Sequence, residues 1–157
     1  MKLLRATKGN YQFHLGHREK HVFCEVLGLY PCIPPAHQPL SKSGKLPQAE
    51  SNQHLLDEAL AEQRAENRRQ ISVFLSDPQR IVPVDKPTDD GFRLSLSPAE
   101  IEWLLQILND VRVGSWIQLG SPEEPKLVLN AKTMQQVWAM EVSGHFQMQL
   151  LAAVGGE

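Results

Sequence analysis

The chain has 157 residues, 41% of them hydrophobic and 22% charged, with a formal net charge of -2. That length fits a single domain, 1–157, large enough to bury a core, and the composition is that of an ordinary soluble globular protein. The slight acidic balance argues against a dedicated nucleic-acid binder, and no segment approaches membrane-spanning length. The apolar run after Met1 is too short for a signal peptide, so a cytoplasmic protein is expected. Cys24 and Cys32 form no framework and read as free thiols, with a bond between them left open.

Leu3 to Ala6 and Tyr11 to Leu15 flank the turn-forming cluster Lys8-Gly9-Asn10. Tyr11, Phe13 and Leu15 alternate with Gln12 and His14, the period of a half-buried strand, so a β-hairpin is predicted. His17 to Tyr30 reads as a helix with Phe23, Val26, Leu27 and Tyr30 on one face, ended by Pro31. A proline-rich loop follows at about 31–49, inside the domain because the preceding residues are too few for a core of their own.

A second long helix is predicted from about Glu50 to Leu75. Its polar middle, AEQRAENRRQ, is either a solvated bridge or a break between two shorter helices. Beyond a loop marked by Pro83, Pro87 and Asp89-Asp90-Gly91, Phe92 to Leu96 alternates as a strand expected to join the hairpin.

Ser97 to Gly120 is the organising stretch. Ser97, Pro98 and Glu100 make a capping box with proline at the first helical position, and Gly120 is a natural stop. Ile101, Leu104, Leu105, Leu108, Val111 and Ser115 line one face and Trp103, Ile107, Gly114 and Ile117 a second, as in a helix that others pack around. After a turn at Ser121 to Pro125 and an extended Lys126 to Leu129, Asn130 reads as the cap of a final helix running to about Ala152. Leu129 and Met134 have hydrophobic-staple spacing. Met134, Val137, Trp138, Met148 and Leu151 share one broad apolar face, and Ala139, Val142 and Phe146 another. The fold class is therefore α+β: about four helices with a small three-stranded antiparallel sheet.

The run from Trp103 to Arg112, with Trp103, Leu104, Leu108, Asn109, Asp110 and Arg112 as its marks, resembles a small family of bacterial proteins classed only as a domain of unknown function. The resemblance covers about a third of the chain. It implies a similar helical pair; the family has no established activity, and some of its members carry the label of regulator.

The candidate polar pocket is Asn109, Asp110, Arg112, Glu141 and His145. Asp110 and Arg112 project about 200° apart on a helix, so each needs its own partner. Arg112 is expected to pair with Glu141 across an antiparallel helix pair, and Asp110 to be held by separate donors. A structural network and a ligand pocket are both open readings of this group.

His14, His17, His21 and Cys24 are weak metal candidates: the last three have helical i, i+4, i+7 spacing, but their face is expected to be wet. Arg64, Arg68 and Arg69 form a small basic patch interleaved with Glu62 and Glu66. Glycine-rich phosphate loops, a nucleophile elbow and the Glu-x-x-His spacing of di-iron helices are absent from the sequence. Catalytic residues and cofactors are therefore not assigned. The expected function is a non-enzymatic interaction or regulatory module whose partner is another protein or a second copy. The alternative is a metal- or small-ligand-binding protein, a hydrolase among the options.

Overall fold

A computed structural model of the chain describes residues 1–35, 48–84, 90–122 and 129–155. Its elements run β1 (Lys2–Thr7), β2 (Asn10–Leu15), α1 (His17–Gly28), α2 (Ala49–Ser76), β3 (Ile81–Pro83), β4 (Phe92–Leu96), α3 (Pro98–Gln118) and α4 (Met134–Val154). Most of the proline-rich loop, at 36–47, and the connection at 123–128 lie outside the described residues.

The hairpin forms as its alternation requires. Gly9 turns it at φ +89°, a conformation a side chain would resist. Tyr11, Phe13 and Leu15 are buried, while Gln12 and His14, on the opposite face, are half-buried. β4 pairs antiparallel with β2, setting Leu94 opposite Phe13 and Leu96 opposite Tyr11, so both strands present one apolar face to the helices. The sheet has four strands among the described residues, in the order β1-β2-β4-β3, and not the three expected. β3 is too short to display a period of two. Its Pro83 reads as a break in sequence but is tolerated on an edge strand, where one side needs no N–H.

α1 ends two residues earlier than expected, at Gly28, and Tyr30 leaves the helix while staying buried. α2 is one unbroken helix of 28 residues, which decides between the two readings of its polar middle. Only its later part enters the core, through Asn67, Ile71 and Phe74, with Phe74 tilted against Trp103 at 5.7 Å between ring centroids. Arg80 ties the end of α2 to the start of α3. Its guanidinium pairs with Glu100 at 2.7 Å, donates to the Ser95 carbonyl at 3.2 Å and lies over the Phe74 ring.

α3 is the centre of the helical layer. Ser97 Oγ accepts from the Glu100 N–H, and the Glu100 carboxylate accepts from the Ser97 N–H, which closes the predicted capping box. Ile101, Leu104, Ile107, Leu108 and Val111 are fully buried, so both apolar faces of the helix are used. α4 packs along α3, with Gly144 against Arg112 and Gln147 donating to the Leu105 carbonyl at 3.4 Å, the order of an antiparallel pair, and Phe23 of α1 meets Phe146 of α4 edge to face at 5.0 Å.

α4 departs from expectation in two ways. Asn130 does not cap it directly. The Asn130 side-chain carbonyl accepts from the N–H groups of Lys132 and Thr133, closing a turn that delivers the chain to a helix beginning at Met134. Leu129 and Met134 are both exposed, so no staple is buried between them. The buried face is Ala139, Ser143, Phe146, Leu150 and Ala153, while Met134, Met148 and Leu151 of the broader apolar face point to solvent. A helix apolar on most of its circumference gives periodicity no direction to report.

Candidate functional site

The polar insert of α3 splits into two unrelated halves. Asp110 Oδ1 accepts from the backbone N–H of Cys32 at 2.6 Å and of Ile33 at 3.3 Å. These are the separate donors expected for it, and they come from the segment that leaves α1. The same segment is held from other sides. Gln118 Nε2 donates to the Cys32 carbonyl at 3.2 Å, and Arg64 donates to the Ile33 carbonyl at 3.0 Å. It crosses α3 at Gly114, where a Cβ would lie 2.3 Å from the Cys32 carbonyl carbon. Beside it Tyr30 Oη accepts from Asn67, whose carbonyl accepts from the Trp103 indole at 3.2 Å. Asp110 therefore acts as a clasp on backbone that would otherwise lose its hydrogen bonds on burial. The clasp leaves a mark on its neighbour: burial, with Asp110 adding to it, pushes the Cys32 thiol up to about 11. Both thiols are free.

Asn109 is exposed and makes no part of this network. Arg112 is also exposed, and it corrects the expected ion pair. No Arg112–Glu141 bridge within 4.0 Å exists among the described residues. The guanidinium instead lies along Gly144, its Nε 3.6 Å from where a Cβ would stand. Both charges sit on outward faces, so water relieves the need for pairing that burial would have imposed. Arg112, Glu141 and His145 still meet, lining a surface cleft of about 400 Å³ with Met140, Gly144 and Met148. A second cleft, of about 420 Å³, adjoins it through Glu141 and His145 and is walled by Arg18, Glu19, Val22, Val142 and Phe146.

Glu19 closes the far wall of that second cleft. Its carboxylate accepts from the Gly16 N–H at 3.0 Å, completing the cap of α1, and pairs with the Met1 ammonium. Partial burial works to raise its pKa. The Met1 ammonium, the Gly16 N–H and the nearby His145 outweigh that, so the group sits below its ordinary value.

The histidine group is not gathered. His14 is half-buried on β2 beside Gly91, and His17 bonds Asp90 at 2.5 Å and stacks edge-on against Phe92. His21 lies 3.9 Å from Glu25 on its own helix, and Cys24 is half-buried. Among the described residues no three His, Cys, Asp or Glu side chains converge as a metal site. In the arginine patch, Arg69 pairs with Glu66, Arg64 serves the clasp, and Arg68 is exposed on α2.

Sequence reasoning missed Asn67, buried in a stretch that reads as solvated. Its signal was position: it lies four and seven residues before Ile71 and Phe74, on the stripe they define.

What fold and site define is thus an α+β fold with a polar-rimmed apolar face on α4. Compared with protein-family models, curated proteins and solved structures, the chain matches none. No helix among the described residues is long and apolar enough to cross a membrane.

Proposed function

We propose that this chain is a non-enzymatic interaction module of the cytoplasm that docks a protein partner on the outward face of α4. One observation carries the reading: Met134, Met148 and Leu151 are 57%, 66% and 57% exposed on a helix whose other face is core. Arg112, Glu141 and His145 line a cleft beside Met148. Exposed apolar anchors around a few charges, methionine and arginine among them, are the composition of a protein interface. A photo-activated crosslinker placed at Met148 in cells tests it. A protein adduct at Met148, absent when the same probe replaces the exposed Glu102, is the expected result. Equal labelling at both positions, or none, contradicts the reading.

The second cleft favours one other reading, a small-ligand site with an apolar wall of Val22, Val142 and Phe146 and a charged rim. A fragment that protects His145 from carbethoxylation would support it. Failure of a fragment set to protect that ring assigns the cleft to the protein interface.

A further inference from the structure

The first half of α2 has no core to lie on. A helix of 28 residues is about 42 Å long, and none of residues 50–63 is buried. An isolated helix of that length is marginal in water, and this half carries Leu55, Leu56 and Leu60, with Leu55 62% exposed. Along it runs a groove of about 310 Å³, formed by Asp57, Leu60, Ala61, Arg64, Ala65 and Arg68 against Pro31 and Pro35. Those six α2 residues fall at i, i+3, i+4, i+7, i+8 and i+11, a single helical face.

The charges of that face are few and segregated: Asp57 stands towards its start, and Arg64 and Arg68 towards its end. Such a face is complementary to itself when reversed. Placed on a two-fold axis between residues 62 and 63, it sets Asp57 opposite Arg68, Leu60 opposite Ala65 and Ala61 opposite Arg64 of a second helix. The small side chains Ala61 and Ala65 allow close approach, and the Asp57–Arg68 pair occurs twice by symmetry. The parallel arrangement would stack like charges.

We infer that the groove along α2 is a homodimer interface, occupied by α2 of a second copy running antiparallel. This surface is separate from the α4 face and stands or falls without it. Sedimentation of the full chain tests it, with a dimer of twice 17.7 kDa expected at micromolar concentration. Leu60→Asp, at a half-exposed position, should give a folded monomer whose loss of helix is confined to the uncovered first half of α2. Asp57→Arg should weaken dimerisation about tenfold by opposing like charges, and Asp57→Arg with Arg68→Asp should return it to within about threefold of the parent. A monomeric parent chain overturns the inference, because the groove is then filled within one chain or by another protein. A dimer indifferent to Leu60→Asp, or a charge swap that fails to recover, places the interface elsewhere and overturns it as well.

Discussion

Asp110 and Arg112 stand two positions apart on α3 and answer to different physics. Asp110 holds two backbone N–H groups of the segment after α1, and removing it leaves both without an acceptor. Asp110→Ala should cost about 1–3 kcal/mol in urea unfolding, with Asp110→Asn, which keeps an accepting oxygen, recovering most of it. Arg112→Met, by contrast, should change stability by no more than about 0.5 kcal/mol, since the side chain lies on the surface over Gly144. That Asp110 needs donors from another element was legible from its isolation among apolar neighbours. The donors are main-chain groups of Cys32 and Ile33, which no side-chain pattern encodes, and the Arg112 partner failed because exposure was not encoded either. Glu19 gives a pH-dependent counterpart. With its pKa depressed in the fold, its stabilising contribution is complete above about 4.5 and is lost as pH falls through the lowered value. Unfolding of Glu19→Gln across that window should show a shallower acid limb than the parent. An identical limb would remove Glu19 from the acid response.

At the scale of elements, legibility followed the strength of local punctuation. α3 carries its own start in Ser97, Pro98 and Glu100, and it begins where they place it. Ser97→Ala should cost about 1 kcal/mol by chemical denaturation, and an unchanged midpoint would show that Glu100 alone suffices. β2 and β4 were legible because five or six residues suffice to show alternation, whereas the three residues of β3 show none and depend on pairing with β4 for their existence. α2 was legible as a helix but not as one that leaves the body halfway along. Its polar middle conceals the buried Asn67 and its apolar beginning turns out to have no core beneath it. For α4 the composition that made the helix certain also erased its orientation, because two apolar faces were available and only packing against α3 chose between them.

For the whole molecule, the proposed function rests on the contrast between the two sides of α4. Phe146 and Leu150 complete the core with Phe13, Phe23 and Leu104, while Met148 and Leu151, two and one positions from them, are held out in water. An apolar helix face held out in water is what the proposed docking role rests on. The most direct measurement is urea unfolding of the double variant Met148→Lys, Leu151→Lys. An outward contact face predicts an unfolding free energy within about 0.5 kcal/mol of the parent, because both side chains are already exposed. A loss of about 2–5 kcal/mol, the cost of truncating buried residues of this size, would place that face inside the core and contradict the account.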